Sequence, residues 1–78
     1  MKTIHILINS IEQIKEFVND TNKINADLDL VSERYIINAK SIMGIFSLNL
    51  SKPILMNIYA EGIQLKDILK VMKKYMVK

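Results

Sequence analysis

Four stretches of this chain alternate apolar and polar residues with a period of two, and that pattern limits the fold more than any other feature. From Thr3 to Asn9, Ile4, Ile6 and Ile8 point one way and His5 and Leu7 the other. Strand side chains alternate between faces, so such a segment buries one face only. The pattern returns three times. Ala26, Leu28 and Leu30 stand against Asp27 and Asp29; Tyr35, Ile37 and Ala39 against Ile36 and Asn38; and Ile54, Met56, Ile58 and Ala60 against Leu55, Asn57 and Tyr59. Pro53 starts the last of these, where a missing N–H is tolerated. Ser32-Glu33-Arg34 is a tight turn without glycine.

Between the strands the period changes to that of a helix. Ile11, Ile14, Phe17, Val18 and Thr21 mark one face of a helix over 11–22, ended by Asn22-Lys23. Ser10 and Gln13 have capping-box spacing, and Glu12 sits in the first turn, where negative charge is favoured. Ser41 opens a short helix that ends near Asn49, with Ile42, Ile45 and Leu48 on one buried stripe and Met43 and Phe46 protruding beside it. Leu65, Ile68, Leu69, Met72 and Met76 form the stripe of a last helix after the Glu61-Gly62 turn. Its Lys70, Lys73, Lys74 and Lys78 lie toward the C-terminal end, where the helix dipole favours cations. The order is strand, helix, strand, strand, helix, strand, helix. Half-buried strands need one covered face, which predicts an α+β fold: a four-stranded antiparallel sheet with three helices on one face. A ferredoxin-like domain, sharing the strand-helix-strand-strand-helix-strand core, is the rival.

Seventy-eight residues suffice for a single domain over 1–78, without linker, repeat or low-complexity segment. A chain this short buries only about 60% of the surface it exposes when unfolded, so its stability margin is thin. The absence of cysteine excludes a disulfide framework and a thiolate metal site. No apolar run approaches the roughly 18 residues of a membrane span, and the N-terminus lacks a secretory pattern, so a cytoplasmic protein with no membrane role is expected. The net charge of +3 raises a nucleic-acid reading. The lysines crowd into the last helix, however, Arg34 is the only arginine, and no interleaved aromatics accompany them. A solvated helix face is the expectation, with no nucleic acid.

Few residues offer chemistry. Ser10 and Ser41 both fit helix caps, whose hydroxyl oxygens accept backbone N–H groups. The Ser41 position also suits a docking surface or a phosphate site. His5, the only histidine, lies mid-strand and reads as an open-face residue, with a displaced carrier or ligand as the alternative. Asp27 and Asp29 share a strand face and read as solvated acids rather than a cation site. No catalytic residue, metal or cofactor is expected. Leu7, Val31, Ile36, Leu55 and Tyr59 all fall on the outward side of their strands. That much apolar surface suggests a partner, and a homodimer through the outer sheet face is the expectation.

The run Lys40-Ser41-Ile42-Met43-Gly44, then Ser47-Leu48, then Tyr59-Ala60-Glu61-Gly62, resembles the phosphocarrier HPr family of the sugar phosphotransferase system. The resemblance is to the Gram-positive branch, and the apolar pattern fits without gaps from about Ser10 to Met72. It implies an open-faced β-sandwich. It also implies that Ser41 is a regulatory phosphorylation site for an HPr kinase, helped by Lys40. Lys40, Ile42, Met43 and Phe46 would form the surface offered to that kinase, to enzyme I or to a transcriptional regulator. In the family a histidine at the start of the first helix carries the phosphoryl group, followed by an arginine two residues on and then a proline. Here Ser10, Glu12 and Gln13 stand at those positions, and the preceding loop is shorter. The chain is similar to the catabolite-repression paralogue of HPr, which keeps the serine and lacks the histidine, but departs from it at Glu12. The resemblance therefore implies a regulatory binding module of the phosphotransferase network, not an enzyme, that does not carry phosphohistidine. The alternatives are a carrier with a relocated phosphoryl site and a structural, self-associating domain.

Overall fold

The structure, a computed structural model, describes residues 1–33 and 35–77. Arg34 and Lys78, placed by sequence in a turn and in the lysine-rich end, lie outside the described residues. The elements run β1 (Lys2–Ile6), α1 (Ile11–Asn22), β2 (Asp27–Ser32), β3 (Tyr35–Asn38), α2 (Ile42–Phe46), β4 (Ile54–Tyr59) and α3 (Gly62–Met72). The strands form one sheet in the order β1-β4-β2-β3, and every pairing is antiparallel. This disposes of the ferredoxin-like rival, whose sheet places the first and third strands at its centre; here β4 and β2 hold the centre.

The period-two pattern sets the register. Ile4 pairs with Met56, Met56 with Leu30, and Leu30 with Ile37, so one apolar row crosses all four strands on the inner face. Ile4, Met56 and Leu30 are buried, as are Ile6, Ile54, Leu28 and Ile58. Ile14 and Phe17 of α1, Ile45 of α2, and Ile68 and Met72 of α3 close over them in one core. The helices therefore share the inner face, and the outer face is left open.

Several expected boundaries move, each for a physical reason. β1 was expected to reach Asn9 but leaves the ladder after Ile6 pairs with Ile54. Leu7 directs its N–H away from β4, to the Tyr75 carbonyl; Pro53 precedes β4 rather than starting it, since at its position in the alternation the missing N–H is one that would face β2. Ile8 is nevertheless fully buried. Ile11, expected on the buried face of α1, is 58% exposed, because as the first helical residue it lines an open surface groove with Phe46 and Leu50. Tyr35 has inward parity but is 66% exposed, since it lies at the hairpin end of an edge strand. The hairpin turn holds Glu33 at φ 53, a left-handed conformation uncommon for a residue with a side chain. α2 stops at Phe46 rather than near Asn49. Ser47 and Leu48 turn back on the Gly44 and Ile45 carbonyls with the tighter spacing of three residues, and the Ser47 hydroxyl donates to the Gly44 carbonyl at 2.6 Å.

The C-terminal end also departs from the helical stripe. α3 ends at Met72, so the period is not carried to Met76, and Tyr75 enters the core in its place. Its ring meets Phe17 edge-on at 5.1 Å and its hydroxyl donates to Asp20 at 2.7 Å. Lys74 pairs with both Glu16 and Asp20 of α1. Beyond this clasp the chain lies along the free side of β1. Leu7 N–H donates to the Tyr75 carbonyl at 2.8 Å and Val77 N–H to the His5 carbonyl at 2.9 Å, on either side of an Ile6–Met76 bridge.

Candidate functional site

The site of interest is built where the start of α1 meets α2. Ser10 has extended backbone angles and its Oγ accepts the Gln13 N–H at 3.1 Å, which satisfies one of the unpaired donors of the first turn. The Gln13 side chain reaches back to accept the Asn9 N–H at 2.9 Å, one residue earlier than a standard capping box would place it. Ser10 thus stands at the mouth of α1 with Glu12 exposed in the first turn. Below it opens a groove lined by Asn9, Ser10, Ile11, Ile14, Phe46, Leu50 and Ser51, with no charged side chain among them.

Ser41 caps α2 in the same manner, its Oγ accepting the Gly44 N–H at 3.2 Å. The turn that presents it is held from three directions. The Asn38 side chain accepts the Lys40 N–H at 2.9 Å and the Asn38 carbonyl accepts the Ser41 N–H at 3.0 Å. The buried Thr21 hydroxyl lies 3.1 Å from the Ala39 carbonyl. Asn22 donates to the Lys40 carbonyl at 3.3 Å. Gly44 lets the helix sit close to β3: a Cβ there would lie 3.2 Å from both Ile37 Cδ1 and Ser41 Oγ. Ser41 is exposed.

The residues singled out beside Ser41 fall into two groups. Met43 is 76% and Phe46 45% exposed, while Ile42 is half-buried against the core. Lys40 points elsewhere: its Nζ donates to the Ile24 carbonyl at 2.8 Å, at the end of α1, rather than standing free beside the Ser41 hydroxyl. Sequence reasoning missed the parts of this site contributed from a distance. Thr21, Asn22 and Asn38 support the turn, and Ile11 and Leu50 line the groove. Only the Asn38 contact, two residues from its partner, lay within reach of local sequence patterns.

His5 is far from this constellation in the topology. It is exposed in mid-β1, opposite Leu55, on the sheet face away from the helices, and shares a hollow with Val31, Glu33, Lys52 and Pro53. Asp27 and Asp29 lie on that outer face too. Among the described residues no group of three or more His, Cys, Asp or Glu side chains could hold a metal ion. The five outward apolar residues do not make one patch. Leu55, Val31 and Ile36 are neighbours in one row, but the row containing Asn57 and Asp29 separates them from Tyr59, and Leu7 lies past the end of β1.

An open sheet covered on one side by three helices, with a serine-capped short helix and an uncharged groove at one end, is the framework of an HPr-type α+β protein. The family model for the PTS HPr component phosphorylation site matches residues 12–78, and the chain belongs to the PTS HPr family. A crystal structure of HPr-C-His from Thermoanaerobacter tengcongensis superimposes with a TM-score of 0.76 at 26% identity, over 95% of this chain and 89% of that one. No curated protein sequence matches. HPr proteins are phosphocarriers of the phosphotransferase system rather than catalytic enzymes, and they interact with other proteins of that system. No helix among the described residues is long and apolar enough to cross a membrane.

Proposed function

We propose that this chain is a regulatory, protein-binding member of the HPr family that does not carry phosphohistidine. One observation carries the reading: the only imidazole, His5, stands on the open face of the sheet, while the mouth of α1 holds Ser10. A carrier needs a labile phosphoryl link, which the phosphoramidate of histidine provides and a serine ester does not. Glu12, where the family's arginine would stand, repels the charge that an arginine would neutralise in transfer. Ser10 is then a helix cap.

Binding proceeds through α2, with Met43 and Phe46 as its exposed anchors and Ile42 and Lys40 at its base. The partners are proteins of the phosphotransferase network: an HPr kinase, enzyme I or a transcriptional regulator. Phosphorylation of Ser41 would add a charge of about −1.5 to −2 beside the Gly44 N–H. For Lys40 to reach that phosphate it must release the Ile24 carbonyl. The test is incubation with an HPr kinase and ATP in parallel with enzyme I and labelled phosphoenolpyruvate, analysed by site. Label on Ser41 from the kinase and none from enzyme I is expected. Acid-labile label on His5 from enzyme I would overturn the reading. It would favour the second one, a carrier with a relocated phosphoryl site.

A further inference from the structure

We infer that Met43 is the reactive sulfur of this chain: a peroxide converts it to the sulfoxide, and the sulfoxide withdraws α2 from its partner. The second half rests on the docking reading of α2 given above. The chain has no cysteine and five methionines, so thioethers are its only oxidisable sulfur. Burial divides them. Met56 and Met72 are closed into the core, and Met76 is 37% exposed in the cover over β1, where it bridges to Ile6. Met43 stands 76% exposed, beside an Ile42 that packs against the core. Met1 is also open, but it precedes β1, at the far edge of the sheet from β3, which α2 follows. An oxidant must reach the sulfur lone pair, so exposure orders the rates.

The reaction is a two-electron oxygen transfer. The Met43 sulfur attacks a hydroxyl oxygen of the peroxide and the O–O bond breaks. The proton on the transferred oxygen passes to the departing oxygen, which leaves as water when the oxidant is hydrogen peroxide. Sulfur is oxidised and the peroxide reduced. A flexible apolar side chain thereby becomes a polar one with a strong acceptor oxygen. Met43 and Phe46, three residues apart in α2, present one exposed apolar face. A partner that covers this face meets Met43 with apolar groups, and the sulfoxide oxygen enters that contact without a donor. An acceptor buried without a partner weakens binding by about tenfold or more. The fold is spared. Met43 lies outside the core, and the cap from the Gly44 N–H to Ser41 Oγ does not involve its side chain. Oxidant reaches Met56 or Met72 only after unfolding, so neither can serve the same role. The exposed sulfoxide stays open to a methionine sulfoxide reductase, which returns it to the thioether with a thiol reductant and releases water.

The test treats the whole chain with hydrogen peroxide, removes the peroxide, and follows each methionine by peptide mass spectrometry. Met43 oxidises several-fold faster than Met76 and faster still than Met56 and Met72, with the thermal midpoint unchanged. An HPr kinase with ATP then labels Ser41 of the treated chain about tenfold more slowly than that of the untreated chain. Methionine sulfoxide reductase restores the rate. Met43→Leu, whatever its own rate, is labelled no more slowly after peroxide, whereas Met76→Leu keeps the peroxide effect. An untreated chain left unlabelled would sink the docking reading and this inference with it. Where the untreated chain is labelled, the inference alone falls if Met43 oxidises no faster than Met56, or if labelling is unchanged with Met43 fully oxidised. It falls equally if the loss persists in Met43→Leu, survives the reductase, disappears in Met76→Leu, or comes with a lowered thermal midpoint.

Discussion

At the scale of single residues, the two serines at helix starts do the same physical work with different consequences. Ser10 caps a helix of 12 residues and Ser41 one of 5. Ser10→Ala should cost about 1 kcal/mol, a fall in Tm of roughly 4–8 °C for a domain of this size, measured by thermal denaturation. Ser41→Ala should cost less, about 0.5 kcal/mol, because so short a helix frays in any case; the same variant should abolish labelling by an HPr kinase. Thr21 is less conspicuous and more consequential. Its hydroxyl is fully buried and supports the Ala39 carbonyl two residues ahead of Ser41. Thr21→Val keeps the shape and removes the donor, so we expect a loss of about 1–3 kcal/mol in urea titration. Faster amide exchange at Lys40 and Ser41 should accompany it. The caps were legible in the sequence, since donor and acceptor lie three residues apart. The Thr21 contact was not, because its partner is 18 residues away and only the fold brings them together.

At the scale of elements, the clasp between the C-terminal end and α1 governs how stability responds to pH. Burial of Asp20 by itself raises its pKa, but hydrogen bonds from Tyr75 and Lys74, with the lysine's charge, outweigh it and hold the carboxyl below its ordinary 3.8. A group depressed in the folded state stabilises above its unfolded pKa and loses that contribution as pH falls through the folded value. Stability should therefore drop on acidification below about pH 4, and Asp20→Asn should flatten that limb of the curve. Tyr75 behaves oppositely. Burial and then its bond to Asp20 raise its pKa well above the ordinary 10.0, so its contribution is complete below pH 10 and is lost as pH rises through the raised value. Tyr75→Phe should remove this alkaline limb while keeping the ring against Phe17; denaturant midpoints from pH 3 to 12 read both. The stripe of α3 was readable as far as Met72. Past it the helix stops, and a helical period assigns Met76 to the core where an irregular turn delivers Tyr75.

For the whole molecule, β4 is the arbiter. It forms last among the strands in chain order yet lies between β1 and β2, so the sheet closes only when the ends of the chain meet its middle. Met56 sits at its centre, buried between Ile4 and Leu30. Met56→Ala should cost about 2–5 kcal/mol, a large part of the roughly 4–12 kcal/mol that a domain of this length has. Calorimetry should show Tm lowered by about 10 °C or more, with unfolding still cooperative.

Element types, the inner-face residues of the strands apart from Tyr35, and the serine caps followed from the sequence alone, because each depends on periodicity or on contacts within a few residues. The strand order, the C-terminal cover over β1, the turning of Lys40 toward Ile24, and the break between Tyr59 and the Leu55–Val31–Ile36 row were decided by tertiary structure. They depend on which distant segments share the core, and a local pattern of hydrophobicity leaves that pairing open.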